Sequence, residues 1–232
     1  LPVFIVVGVE SSGKSTLLER ISMTPIFPRA ENICTRMAIK IQLRRTERSE
    51  MPTLSVVDFA TEEVIEPPRV IPASTGFADV REAMHDAIRQ EHDGLAGVSL
   101  KRMLVLCVSK PTVPTLDFID LPGRCSLAKD GEPEDMPEQT DKLITHFIDA
   151  HKSHAIFLIV NDARNNMRTS PISEIVSKQQ IEKQSIGVFT KCDKQDKKDL
   201  KKTMKQWLVG KDTLQLPQYG WGATMNEEGD NM

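Results

Sequence analysis

Apolar runs of strand length recur along this chain, and several intervals between them carry apolar residues at helical spacing. Val3-Phe4-Ile5-Val6-Val7 is the first run, unbroken as in a buried strand. Further strands are predicted at 36–43, 53–59, 101–109, 115–120, 155–160, 186–190 and 221–225. A helix over 14–22 would turn Leu17, Leu18 and Ile21 inward and Glu19 and Arg20 outward. Phe77, Val80, Met84, Ala87 and Ile88 mark a second helical face, and Leu143, Ile144, Phe147 and Ile148 a third. Residues 171–183 and 196–208 supply two more helices. Strands alternating with helices predict one α/β unit, a mostly parallel central sheet flanked by helices and doubly wound. Such sheets bind ligands beyond the carboxyl ends of their strands. Pro25-Ile26-Phe27-Pro28 should end the first helix. Residues 61–76, with Pro67, Pro68, Pro72 and Gly76, should lack regular structure. Residues 122–137 read as a mobile loop, and 226–232 as a frayed end.

Chemistry enters between the first strand and the first helix. Gly8-Val9-Glu10-Ser11-Ser12-Gly13-Lys14-Ser15-Thr16 fits G-x-x-x-x-G-K-[ST], the loop that cradles phosphates. In that position backbone N–H groups and the positive helix end face an anion. Lys14 is placed to reach the outer phosphates, and the Ser15 hydroxyl to ligate Mg²⁺. The fold class is therefore that of a P-loop NTPase.

A second signal is Leu116-Asp117-Phe118-Ile119-Asp120-Leu121-Pro122-Gly123. A carboxylate at a strand tip beside the P-loop, here Asp120, can hold the Mg²⁺ shell. Gly123 lacks a side chain, so its N–H can approach a γ-phosphate. A third is Thr190-Lys191-Cys192-Asp193, after the apolar run 186–189. The Asp193 carboxylate can accept two N–H bonds that guanine offers and adenine does not, and the Lys191 stem can cover the purine face. This selects GTP over ATP as substrate. A fourth is Thr35, in a loop between the first helix and the second strand. Such a threonine can close over the γ-phosphate and Mg²⁺ as GTPase switches do.

Bulk properties narrow the partners. The 232 residues carry a net charge of −3, which gives no global field to recruit nucleic acid. The basic run from Lys191 to Lys205 is interleaved with Asp193, Asp196 and Asp199 and reads as a solvated helix face. Four widely spaced cysteines, Cys34, Cys107, Cys125 and Cys192, read as reduced thiols of a cytoplasmic protein. No apolar run approaches the roughly 20 residues that span a bilayer. His146, His151 and His154 read as surface histidines, and Trp207 and Trp221 as packing at the domain edge.

Together these residues resemble the dynamin superfamily of large GTPases. The likeness rests on Gly8–Thr16, on P-R-x-x-x-I-x-T-R at Pro28–Arg36, on D-L-P-G at Asp120–Gly123 and on T-K-x-D at Thr190–Asp193. It also rests on the long insert 45–115 with its helix, and spans essentially the whole chain. It implies an extended G domain over 1–232, incomplete at both ends, whose stalk and bundle helices lie outside the sequence. It implies a homodimer across the nucleotide face that stimulates hydrolysis, homo-oligomers built through the stalk, and association with membranes for remodelling or fission. Residue by residue, Ser11 matches the serine that neutralises developing charge, and Ser12, Gly13 and Thr16 complete the phosphate cradle. Arg29 and Thr35 match the switch, Thr35 binding Mg²⁺ and placing water. Gly123 matches the γ-phosphate glycine, Lys191 and Asp193 match the base readers, with Thr190 as a further nucleotide-binding residue of that motif, and Asn226 matches an asparagine near the base or ribose.

The chain departs from the pattern in places. Glu10 stands where dynamin has a glutamine that orients the attacking water, so a negative charge lies near an anionic transition state. Ala30 and Asn32 replace glycines whose carbonyls bind a monovalent cation, Na⁺ or K⁺. Pro171 and Glu227 alter the implied dimer contact. Glu10 also keeps open a second reading, a nucleotide-gated protein-binding module with little hydrolysis.

Overall fold

The computed structural model describes residues 3–27, 36–72, 77–91, 97–208 and 214–225. Arg29, Thr35 and Asn226 lie outside them, as do Cys34, Ala30, Asn32 and Glu227.

Strand β1 (Val3–Gly8) leads through a loop into helix α1 (Lys14–Ser22). Then come β2 (Ile39–Arg44), β3 (Thr53–Asp58), β4 (Val64–Val70) and α2 (Ala78–Glu91). After β5 (Arg102–Ser109) and β6 (Leu116–Asp120) follow α3 (Met136–His151), β7 (Ala155–Asp162) and α4 (Pro171–Gln179). Strand β8 (Ser185–Thr190), α5 (Lys197–Leu208) and β9 (Trp221–Ala223) complete the order. One nine-stranded sheet results, β4-β3-β5-β2-β6-β1-β7-β8-β9. The β6-β1-β7-β8-β9 block is parallel throughout. Strand β2 runs antiparallel to β6, which turns the other half of the sheet around. The expected α/β sheet is thus present, and five of its eight strand pairs are parallel.

Side chains alternate across a strand, so an unbroken apolar strand feeds two cores. Ile5 and Val7 of β1 join Phe157 and Ile159 of β7 on the face covered by α3 and α4. Val6 joins Leu158 and Val160 on the face covered by α1 and α2. The helical stripes read from the sequence, Leu143 to Ile148 and Val80 to Ile88, are the surfaces that close these cores.

Three boundaries need correction. Residues 61–76 are not all irregular, because β4 pairs antiparallel with β3 and carries Pro67 and Pro68. Proline has no N–H to donate, and β4 is the outermost strand, exposed at every position, where no ladder bond is required of it. The pairing slips register between Leu54 and Val57, opposite those prolines. The loop after β6 ends sooner than expected, since Pro137 sits in the first turn of α3, where a missing N–H costs nothing. Helix α4 stops at Gln179, with Gln180 left-handed at φ 56°. Among the described residues no helix is long and apolar enough to cross a membrane. His146 and His151 are half-buried rather than on the open surface: His146 lies against Phe59 at 4.4 Å and His151 stacks on Phe147 at 5.8 Å.

Gly187 decides how the β9 edge closes. Trp221 stacks on Phe189 at 4.4 Å, and its indole N–H donates to the Leu214 carbonyl at 2.9 Å. A Cβ on Gly187 would lie 2.1 Å from the Trp221 ring. Gly187→Ala must therefore expel the indole and loosen β9. We expect a loss of about 2 kcal/mol, in the range of a displaced large side chain, read as a lower urea midpoint at unchanged slope. An unchanged midpoint would show that the ring does not need this space.

Candidate nucleotide-binding site

Gly8, Asp120, Asp162 and Thr190 end β1, β6, β7 and β8 on the same edge of the sheet. In register, Val6 lies beside Asp120, Gly8 beside Val160, and Asp162 beside Thr190. From Gly8 the chain turns through Ser11 (φ 56°) and Gly13 (φ 90°), both left-handed, before helix α1 begins. Glycine adopts that backbone without penalty at 13, and at 8 a Cβ would strike the Val160 carbonyl at 2.6 Å. The Leu17 N–H bonds the Gly13 carbonyl at 3.0 Å, and Gly13, at the N-cap, has no side chain to cap the helix start. The first-turn N–H groups therefore face the hollow of the loop, as an anion site requires.

Lys14 is buried beneath this loop. Its Nζ donates to the Val9 carbonyl at 3.1 Å and the Gly8 carbonyl at 3.4 Å. Asp120 lies fully buried beside it, and among the described residues neither carboxylate oxygen has a hydrogen-bond donor. Burial lifts the Asp120 pKa to about 6, while the Lys14 charge pulls it down. Buried carboxylate oxygens without donors are costly unless a cation or its hydration shell completes them. The carboxylate thus fits a hard divalent ion such as Mg²⁺, and Ser15 lies in the first turn of the adjacent helix. Ser12 Oγ is likewise buried without a partner among the described residues.

The rim is built from the end of β8. Thr190 Oγ1 donates to the Ser12 carbonyl at 2.5 Å and the Asn161 carbonyl at 3.3 Å, clamping the P-loop to the sheet. Lys191 is left-handed at φ 55°, and its Nζ donates to the Ser11 carbonyl at 2.5 Å. Asp193 follows in a short 3₁₀ turn, Cys192–Lys194, with its side chain 10% exposed.

Asp162 braces Lys191 from below. Its carboxylate lies 3.3 Å from Lys191 Nζ and accepts from Arg164 Nε at 2.9 Å and Nη2 at 2.6 Å. The Arg164 guanidinium, its backbone N–H and Lys191 together hold the Asp162 pKa at about 2. A depressed carboxylate stabilises the fold fully above its unfolded value near 3.8, and that contribution is lost as pH falls through about 2. Asp162 is 5% exposed but Arg164 is 52%, so solvent tempers the pair and about 1–2 kcal/mol is expected. The unfolding free energies of the unaltered chain and Asp162→Asn should differ by a constant amount from pH 7 to 5. They should converge below pH 4. A gap indifferent to pH would contradict the pairing.

The loop after β6 is tied to the P-loop by backbone. Arg124 N–H donates to the Gly8 carbonyl at 3.1 Å, and Glu10 N–H to the Arg124 carbonyl at 3.0 Å. Arg124 grips Asp141 of α3 through two bonds of 2.6 and 2.9 Å. Gly123 is pressed between strands of this weave: a Cβ there would lie 2.6 Å from Glu10 Cα and 2.8 Å from Lys14 Nζ. The Glu10 carboxylate pairs with Lys129.

Glu10, Ser11, Ser12, Gly13, Lys14, Ser15, Thr16, Asp120, Gly123, Thr190, Lys191 and Asp193 therefore all lie at one end of the sheet. The motif reading missed Arg124, Lys129, Asp162 and Arg164. Asp162 had a signal, since it ends an apolar strand as Asp120 does; Lys129 had none.

Comparison with known proteins agrees with this geometry. A sequence model described as the dynamin family matches residues 4–192. Interferon-induced GTP-binding protein Mx1 of Oncorhynchus mykiss is 32% identical over 201 residues, covering 85% of this chain and 30% of that protein. The Mx protein of Solea senegalensis is 32% identical over 200 residues, with the same coverage. The Mx protein of Perca fluviatilis is 30% identical over 201 residues, covering 85% of this chain and 62% of that protein. The chain thus spans about a third of the length of the first two relatives. With a matching family model over most of its length and a P-loop sheet of the expected form, the chain belongs to the dynamin family.

Proposed function

We propose that this chain binds GTP and hydrolyses it to GDP and phosphate, as the G domain of a longer dynamin-like protein. The observation that carries the reading is the buried Asp120 carboxylate, its oxygens without donors among the described residues, set beside Lys14 at the start of α1. A metal ion would complete the carboxylate, and the Lys14 charge beside it suits a phosphate. Lys14 and the P-loop N–H groups would bind the phosphates and oppose their growing charge. Ser15, Thr35 and Asp120 would hold Mg²⁺, which would supply charge neutralisation when bound. Glu10 and Thr35 would place the attacking water, Ser11 would help neutralise the developing charge, and the Gly123 N–H would meet the γ-phosphate. Lys191 and Asp193 would select guanine, Thr190 would hold the P-loop against the sheet beneath the nucleotide, Asn226 would contact the base or ribose, and Arg29 would contact nucleotide from the switch.

The family likeness extends the proposal. The domain pairs with a second copy across its nucleotide face, the full-length protein self-assembles, and it remodels membranes from the cytoplasm. Cation dependence on Na⁺ or K⁺ is weaker than in dynamin, because Ala30 and Asn32 replace glycines.

GTP turnover with Mg²⁺ tests the core of this, measured against protein concentration. A specific rate that rises with concentration supports hydrolysis stimulated by pairing. Loss of GTP no faster than background, at any concentration, removes the hydrolytic reading. Tight GTP binding without turnover would favour the nucleotide-gated module that the negative charge of Glu10 suggests. ATP displacing GTP at equal concentration would remove the guanine assignment.

A further inference from the structure

Glu10 is the least comfortable residue of the proposed site, because a carboxylate beside a triphosphate repels it. The loop after β6 carries an answer to that repulsion. Lys129 Nζ pairs with Glu10 Oε1 across 119 residues of sequence. We propose that Lys129 is a positioning residue for hydrolysis: it cancels the charge of Glu10 and fixes the carboxylate so that its second oxygen accepts from the attacking water. This rests on the hydrolytic reading above.

The turn that carries Lys129 is anchored from three sides. Its own N–H donates to Glu132 Oε2 at 3.0 Å, and the Glu132 N–H returns to the Lys129 carbonyl at 2.9 Å. Glu132 Oε1 accepts from Arg36 Nη2 at 3.2 Å, and Arg36 directly follows the segment that holds Thr35. On the other side, Arg124 is fastened to Gly8 and Asp141. The lysine is thus held at a set distance from Glu10 rather than at the end of a slack loop. The same turn joins the P-loop residue Glu10 to the end of the switch segment through Arg36.

Magnitude decides when the pair matters. Lys129 is 60% exposed and Glu10 49%, so without nucleotide the pair is solvent-screened and contributes little to stability. Bound triphosphate and a closed site displace that water, and the effective dielectric falls. The carboxylate then either finds a cation or pushes against the γ-phosphate. The effect belongs in the chemical step, not in folding.

The test measures kcat and GTP affinity for the unaltered chain, Lys129→Ala, Lys129→Arg, Glu10→Gln and Glu10→Gln/Lys129→Ala. Lys129→Ala should lower kcat about ten- to a hundredfold, the scale of a misplaced reacting group, with a smaller loss of GTP affinity from the uncancelled Glu10 charge. Lys129→Arg should recover most of the rate. In the Glu10→Gln background the alanine substitution should cost little, since no charge remains to cancel. Lys129→Ala at the unaltered rate, or an equal loss in both backgrounds, overturns the assignment while leaving hydrolysis standing. GTP binding without turnover in the unaltered chain overturns the hydrolytic reading, and this role for Lys129 falls with it.

Discussion

Lys14→Ala is expected to weaken GTP binding by about 10²- to 10³-fold and to remove measurable turnover. The side chain is buried, and its ammonium is held by the Gly8 and Val9 carbonyls at the mouth of the loop. Truncating one partner of a buried charged pair costs about 2–5 kcal/mol, which spans that loss at about 1.4 kcal/mol per tenfold. The fold should survive, because Asp120, whose pKa burial has already raised to about 6, can carry a proton when Lys14 is gone. Lys14→Arg should rescue little. A planar guanidinium is broader than an ammonium, and the Lys14 head already has the Gly123 backbone against it, where even a Cβ would come within 2.8 Å. Titration of a fluorescent GTP analogue, beside a thermal melt of each variant, separates lost affinity from lost fold. Unchanged affinity for the folded alanine variant would overturn the site.

What was legible in the sequence was what local backbone and periodicity dictate. The β1–loop–α1 unit could be read because glycine at 8 and 13 and lysine at 14 answer needs within a few residues of each other. Asp120 and Gly123 could be read because an acid at the end of an apolar strand has few reasons to be there. Strand β4 could not, because prolines normally argue against a strand and only its place at the sheet edge removes the objection. The Glu10–Lys129 and Lys191–Ser11 contacts join residues 119 and 180 positions apart. Only the sheet order, which sets β6 beside β1 on one side and β7 then β8 on the other, creates them. The antiparallel turn of β2 against β6 was hidden for a similar reason: a buried strand has the same apolar pattern in either direction.

Asp193→Asn should move the site's preference from guanine to xanthine. Guanine offers two N–H donors along one edge, and a carboxylate accepts both; an amide can accept only one. Xanthine carries a carbonyl where guanine has its amino group, so an amide N–H can donate to it. GTP affinity should fall about 10²- to 10⁴-fold, the range for a buried polar contact left unmatched, while XTP affinity rises. The turn has backbone bonds of its own. The Lys194 N–H bonds the Lys191 carbonyl at 3.0 Å, the Cys192 N–H bonds the Thr224 carbonyl at 3.3 Å, and Cys192 itself is buried. The substitution should therefore leave the fold and the phosphate grip of Lys14 in place, and competition of XTP, GTP and ATP for the folded variant reads the change directly. A variant that still prefers GTP would mean that guanine is chosen elsewhere on the rim. One that binds no triphosphate would mean that Asp193 supports the P-loop instead of reading the base. Loss of the GTP preference with gain of XTP requires both the carboxylate and its position at the end of β8, the combination that separates a base reader from a helix cap.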